Sequence, residues 1–350
     1  MNKKYLGSAI AALLATAVSG CGVVSDNEST AVTNYQSELM AGLDATKAPA
    51  QNFVMDKWKV NLPTPDTNPA REGKTMEILA AQLADPEHPF SHPDWFYTNP
   101  KTGAMVFKVP NEAVSTPNSK NARSELRAML NVNMPEGYKD PSTNFVVAAH
   151  DNAETYGAIG GRLSAVLSVD HVSTSGNDAK YGAYAVVVGQ IHASKNEPLK
   201  IFYRKLPNHE HGSLFWNYEI NPKDKKDRFD AKTNVFGNYD LTKVDSDPVD
   251  GLKLGELFSY DVVVSGNIMN LTFKKNIGES NEKVVTYSLD LSKPNPVSPL
   301  DQGYAQDWMY FKAGAYNQCN IKATSSACTN NGLEAGDYAQ VSFYKLELDQ

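Results

Sequence analysis

Apolar and polar positions alternate along much of this chain with a period of two, the period of an extended strand whose successive side chains point to opposite faces. In NARSELRAML (121–130) the count puts Arg123, Glu125 and Arg127 on one face and Ser124, Leu126 and Ala128 on the other. In AVVVGQIHAS (185–194) it puts Val186, Val188, Gln190, His192 and Ser194 together, against Val187, Gly189, Ile191 and Ala193. In DWMYFKAGAYNQ (307–318) Tyr310, Lys312, Gly314, Tyr316 and Gln318 share a face opposite Met309, Phe311, Ala313 and Ala315. All three segments therefore have an apolar face and a face carrying charged, amide, imidazole or phenol groups. A strand that only fills a core has no need of the second.

The rest of the chain reads the same way. FVMDKWKVNLP (53–63), GAMVFKVP (103–110), TNFVVAAH (143–150), GRLSAVLSVDHVS (161–173), LKIFYRKL (199–206), SLFWNYEI (213–220), FSYDVVVSG (258–266), NIMNLTFKK (267–275), VVTYSLDL (284–291) and YAQVSFYKLEL (338–348) are rich in β-branched and aromatic residues. Clusters of Gly, Pro, Asn and Asp separate them, which predicts strands. Gly266-Asn267 predicts a two-residue hairpin turn. One helix is expected, over REGKTMEILAAQLAD (71–85), ended by Pro86 and lying outside the sandwich. Many short antiparallel strands without strand–helix–strand alternation predict an all-β fold, a β-jelly roll or two-sheet antiparallel sandwich.

Composition adds a compartment and removes some partners. The 350 residues are 41% hydrophobic and 21% charged, with a net charge of −7, so nothing global favours nucleic acid. A polyanionic partner would need a local basic groove. MNKK, then YLGSAIAALLATAV, then SGC before Cys21 has the form of a signal segment too short to span a membrane. Val18-Ser19-Gly20-Cys21 resembles a bacterial lipobox, which implies lipidation at Cys21 and export to the outer membrane, periplasm or cell surface. Residues 1–20 are expected to be the signal peptide, 21–50 a flexible tether with a helical turn or two near YQSELMAGL, and 51–350 the folded domain. Cys319 and Cys328 are then an even pair in an oxidising compartment, and a disulfide is expected.

If the segments 121–130, 185–194 and 307–318 are neighbours in one curved sheet, their apolar faces belong to the core and their polar faces line a groove. That groove carries Arg123, Glu125, Arg127, Gln190, His192, Lys312 and Tyr316. Arginine grips carboxylates through paired hydrogen bonds, so the surface suits an acidic polymer. Glu125 would orient an arginine and limit repulsion between the two. His209-Glu210-His211 lies between Pro207 and Gly212 without a third evident ligand and is expected to be a turn, not a metal site.

RSELR (123–127), QIH (190–192) and YFKAGAYNQ (310–318), in that order, resemble the three signature segments of polysaccharide lyase family 7, the alginate lyases. WKVNLP (58–63) and LSAVLSVDHVS (163–173) extend the likeness, which runs from Phe53 to the C-terminus. The resemblance implies a jelly roll with a concave substrate groove. It implies cleavage of the 1,4-glycosidic bond of alginate by β-elimination, leaving unsaturated uronate ends. Arg123 matches the carboxylate-neutralising arginine, Gln190 its amide partner, His192 the base or a co-neutraliser, and Tyr316 the acid that protonates the leaving oxygen. Glu125, Arg127, Lys312 and Gln318 match substrate-binding positions. Lys312 and Arg127 are expected to favour the Tyr316 phenolate. Within the family Ile191 of QIH accompanies activity on guluronate-containing blocks, although the alternation sends Ile191 to the core. No cofactor or metal is implied. The expected partner is alginate, with membrane contact only through the lipid anchor and a monomeric state. A lyase for another polyuronate such as glucuronan, or a non-catalytic carbohydrate-binding module on the same sandwich, remains open on the sequence alone.

Overall fold

The computed structural model describes residues 35–116, 119–134, 137–240, 246–319, 321 and 327–350. The expected signal peptide, the lipidation site at Cys21 and the first part of the tether lie outside the described residues.

Among those residues are eighteen strands, numbered in chain order, most of them in two antiparallel sheets. The first sheet runs β12 (Asp230–Phe236), β11 (His211–Glu219), β10 (Leu199–Arg204), β9 (Ala185–Ala193), β17 (Met309–Asn317), β5 (Arg123–Ala128), β1 (Trp58–Pro65) and β2 (Thr75–Ile78). The second runs β16 (Lys283–Asp290), β15 (Ile268–Lys275), β14 (Phe258–Ser265), β8 (Gly161–His171), β18 (Tyr338–Asp349), β4 (Met105–Pro110) and β3 (Phe96–Thr98). Short β6 (Phe145–Val146), β7 (Ala158–Ile159) and β13 (Leu252–Lys253) attach to the first. The inner faces of both sheets close on one core that includes Leu126, Ile191, Phe311 and Ala313 from the first and Phe107, Leu167, Tyr260 and Phe343 from the second. This is the expected all-β jelly-roll sandwich. The turn at Gly266-Asn267 joins β14 to β15 with Ser265 opposite Ile268 and Gly266 at φ +59°.

The expected helix over 71–85 is not formed. Gly73, at φ +76°, interrupts the segment, and Thr75–Ile78 is an edge strand with Val60 opposite Ile78 and Asn61 opposite Glu77. Lys59 Nζ lies 3.1 Å from Glu77 and Arg71 Nη2 3.7 Å from it. Only Ala80–Leu83 is α-helical, and Arg71 ends a 3-10 turn that begins at Pro69. Four residues are too few to tell the two periods apart, and the open edge of β1, with Lys59 within reach of Glu77, decided it for strand.

Part of the expected tether also packs onto the domain. Residues 35–41 form a helix, Leu43 and Ala50 contact the core, and Asn52 Nδ2 donates to the carbonyl of Asp44 at 2.9 Å. Cys319 and Cys328 are joined by a disulfide, a bond that persists in oxidising compartments.

Candidate active site

β9, β17 and β5 are consecutive strands of the first sheet although 119 positions separate His192 from Phe311. β17 lies in the middle. Lys312 stands opposite Arg127 on one side and Gln190 on the other, Tyr316 opposite Arg123, and Tyr310 opposite His192. The polar faces of three distant segments therefore form one surface, because their apolar faces all turn to the shared core.

Glu125 is the centre of that surface. Arg123 Nη1 donates to Glu125 Oε2 at 2.9 Å, Lys312 Nζ pairs with the same oxygen, and Gln190 Nε2 donates to Oε1. The carboxylate is 2% exposed, so it lies beneath the surface and organises three donors. A buried carboxylate with three donors, two of them cationic, is well compensated, whereas any one of those charges alone would be costly. Gly314, opposite Glu125 at φ +138°, leaves this position clear. A Cβ there would lie 2.7 Å from the Ser124 carbonyl and 2.8 Å from the Glu125 Cα.

The Arg123 guanidinium also sits 4.0 Å from the centre of the Tyr316 ring, and its buried Nε has no protein partner. Tyr316 packs on Ala185, Val187, Phe202 and Phe215. Its hydroxyl is 3.0 Å from Ser119 Oγ. Ser119 directs its own hydrogen to the Asn121 carbonyl, so the phenol is the donor in this contact. His192 is stacked on Tyr310, with ring centres 5.0 Å apart and planes 10° from parallel. Its Nδ1 lies 2.6 Å from the Ala193 carbonyl and its Nε2 3.2 Å from Glu197 Oε1. Burial holds the imidazole below its ordinary pKa, Lys312 and Arg123 adding to the effect, while Glu197 and the Ala193 carbonyl oppose it.

Three expectations about this face change. The period-two count fails at Val188, where β9 carries one more residue than β10 and β17 one more than β9. Val186 and Val188 thereby turn into the core, while Val187 joins the groove side. A bulge breaks the alternation without any signal in a run of three valines. Second, Arg127 does not approach Tyr316. Its guanidinium lies 4.0 Å from the centre of the Tyr310 ring and donates to the Tyr138 carbonyl and to Asn144 Oδ1 at 2.8 and 2.9 Å. It secures the 138–144 loop, and the arginine over Tyr316 is Arg123. Third, Glu125 is an organiser of donors before it is a substrate contact. Gln318 is half-buried, with Nε2 donating to the Tyr316 carbonyl at 3.2 Å. Ile191 is fully buried in the core, as its alternation predicts.

Ser119, Glu197 and Tyr310 are neighbours of the site that the sequence does not single out. Ser119 and Glu197 lie in loops with no motif of their own. Tyr310 falls on the polar face by alternation, but nothing in the pattern gives it a role. At the other end of the sheet, Glu210, His211 and Asp247 bring ligand atoms within 4.8 Å of one another. Lys253 Nζ is 2.5 Å from Glu210, and Asp247 accepts the backbone N–H of Glu210 at 2.7 Å. The cluster is a salt-bridged strand end beside the Pro207-Asn208 turn.

The profile of the alginate lyase family matches residues 53–350, the whole sandwich. This chain belongs to the alginate lyases of polysaccharide lyase family 7. A curated alginate lyase from Klebsiella pneumoniae is 32% identical over 318 residues, covering 87% of this chain and 91% of that protein. The crystal structure of an alginate lyase from Klebsiella pneumoniae superposes with a TM-score of 0.71 at 29% identity, covering 86% of this chain and 98% of that one. The exolytic family 7 alginate lyase AlyA5 from Zobellia galactanivorans gives 0.67 at 30% identity, over 86% and 97% of the two chains. The family 7 lyase is thus read both from its signature segments and from its whole sandwich.

Burial pushes the Lys312 ammonium down to about 8, with Arg123 adding repulsion and Glu125 opposing it. Below that pH Lys312 is a second cation beside Arg123, and above it is neutral. Affinity for a polyanion is therefore expected to weaken as pH rises through about 8. Lys312→Arg, which stays charged, is expected to remove the effect. KM measured from about pH 6.5 to 9.5 reads both outcomes, and an alkaline rise in KM that is the same in both proteins would clear Lys312 of the role.

Proposed function

We propose that this enzyme cleaves the 1,4-glycosidic bonds of alginate by β-elimination, with a preference for guluronate-containing blocks. The reading rests on the convergence of Arg123, Gln190, His192 and Tyr316 on one face of three adjacent strands. The C5 proton of a uronate is barely acidic while its carboxylate is ionised, so the site must first neutralise that carboxylate. Arg123 supplies the charge through Nη2, the guanidinium nitrogen left open once Nη1 is engaged with Glu125, and Gln190 supports it with its remaining amide N–H. His192 takes the C5 proton as base. Charge developing on the carboxylate is stabilised by fixed donors, which is the larger part of such catalysis. Tyr316 gives its phenolic proton to O4 as the C4–O4 bond breaks, and the product carries a C4–C5 double bond.

In guluronate the C5 proton and the leaving oxygen lie on opposite faces of the sugar ring. Separate base and acid, from β9 and β17, suit that arrangement. In mannuronate both lie on the same face, and one group could serve both ends. The low imidazole pKa supports the choice of base, since His192 is neutral at pH 7 and able to accept a proton.

Incubation with polyguluronate, polymannuronate and glucuronan, followed by the ultraviolet absorbance of the unsaturated uronate, tests the proposal. The fastest rise is expected on polyguluronate. A faster rise on glucuronan than on either alginate block would move the substrate to another polyuronate. Binding to alginate with no absorbance would leave a carbohydrate-binding module.

A further inference from the structure

Glu197 lies in the tight hairpin between β9 and β10, outside the three signature segments. Its neighbours hold it firmly. The Glu197 backbone N–H donates to Glu219 Oε2 at 3.0 Å, and the Glu219 N–H returns to the Glu197 carbonyl at 3.0 Å. Lys200 Nζ lies 3.6 Å from Glu197 Oε2 and 3.1 Å from Asp230 Oδ1. Arg228 Nε is 3.3 Å from Glu219. Glu197 stays well below the usual carboxylate range, because Lys200 and a hydrogen bond from Glu219 outweigh its burial. Burial and the neighbouring Glu197 charge push the Glu219 carboxyl up to about 8, so Glu219 is the member of the pair that carries the proton.

The free oxygen of Glu197 faces the catalytic imidazole. His192 Nδ1 is hydrogen-bonded to the Ala193 carbonyl, whereas Glu197 Oε1 stands beside Nε2 at ion-pair distance without a hydrogen bond to it. A neutral imidazole has one N–H, which Nδ1 spends on the carbonyl. The Nε2 lone pair is then left open beside a carboxylate. Only the imidazolium gains from that neighbouring charge. We propose that Glu197 is the positioning residue of the elimination: its charge, fixed beside Nε2, stabilises the imidazolium formed when that nitrogen takes the C5 proton. The electron pair of the broken C5–H bond becomes the C4–C5 double bond, the C4–O4 pair leaves on oxygen, and the Tyr316 proton neutralises it. The attraction of the Glu197 charge thus grows in the transition state and is small in the resting enzyme, which is the condition for raising a rate.

The charges around His192 come from four elements: Glu197 from the hairpin, Lys312 with the stacked Tyr310 from β17, Arg123 from β5, and Lys200 behind Glu197 from β10. Glu197 is the acidic member facing the ring. Glu197→Gln is therefore expected to move the acidic limb of kcat/KM down by about one pH unit or more, the size of shift that an adjacent opposite charge produces. It is also expected to lower plateau kcat at least tenfold with KM little changed. Glu197→Asp, which keeps the charge, should recover part of both. The imidazole of His192, assigned by comparison with His192→Gln and followed by NMR in the free enzyme, should titrate at lower pH in Glu197→Gln.

The inference rests on His192 acting as the base, and the two readouts separate them. A displaced NMR titration in an enzyme with no lyase activity would sink the proposed function while leaving the Glu197 contact standing. An active enzyme in which Glu197→Gln moves neither the limb nor the titration overturns the role of Glu197 alone. Should Glu197→Gln fail to fold, Lys200→Gln takes the competing cation from Glu197, and from Asp230 and Glu219 as well, and is expected to raise the His192 titration. An unmoved titration in that variant would equally end the proposal.

Discussion

Tyr316→Phe is expected to lower turnover on polyguluronate by about 10²–10⁴-fold, the range that a positioned general acid supplies. The substitution removes one oxygen and nothing else. The ring keeps its packing on Ala185, Val187, Phe202 and Phe215, and it keeps Arg123 above it. The hydrogen bond to Ser119 is lost, which costs about 0.5–1.5 kcal/mol of stability. The domain should therefore unfold within a few degrees of wild type. A loss confined to kcat marks an interaction made only in the transition state. Steady-state absorbance assays and a thermal melt of the same preparation check both halves. Activity within tenfold of wild type would mean that another group protonates O4.

Removing Arg123 is expected to cost almost as much, by a different route. Arg123→Ala should lower kcat/KM by about 10²–10³-fold, the usual cost of deleting one fixed donor from a developing oxyanion. Its Nη1 is engaged with Glu125, and its Nε is buried with no protein partner. Nη2, which makes no hydrogen bond to the protein and is not among the buried atoms, is the nitrogen available to a uronate carboxylate. Glu125 retains Lys312 and Gln190 in the variant, so the carboxylate is not stranded and the fold should persist. Arg123→Lys should recover little, because a lysine is a point charge without the fork and cannot serve Glu125 and a substrate together. Rates on polyguluronate for the three proteins, with circular dichroism as the check on folding, give the comparison. If lysine restored near wild-type activity, charge alone would suffice and the fork would be irrelevant.

Much of the candidate site is legible in the alternation of the sequence. Arg123, Glu125 and Arg127 do share a face, as do Lys312 and Tyr316, and Leu126, Phe311 and Ala313 do fill the core. The alternation is a local property of extended backbone, and the need to bury apolar side chains leaves only one way to orient it. The same reasoning fails where the signal is short or uniform. At 75–78 four residues cannot distinguish a helix from an edge strand. Through the valines at 186–188 identical side chains hide the bulge, which Gly189, packed on the Tyr260 ring, accommodates.

The function of single charges is harder to read. Arg123 and Arg127 look equivalent in RSELR, yet one lies over Tyr316 and the other holds the 138–144 loop. Glu125 looks like a surface member of a charge row and is in fact buried among three donors. Strand alternation and the three signature segments were enough to specify a lyase-like β-sandwich and to nominate the side chains of its polar face. Which strands lie side by side, which arginine is free, and that a hairpin carboxylate meets the imidazole were settled by folding. Those contacts join residues far apart in the chain, and their partners are chosen by how the whole core packs, which no local periodicity encodes.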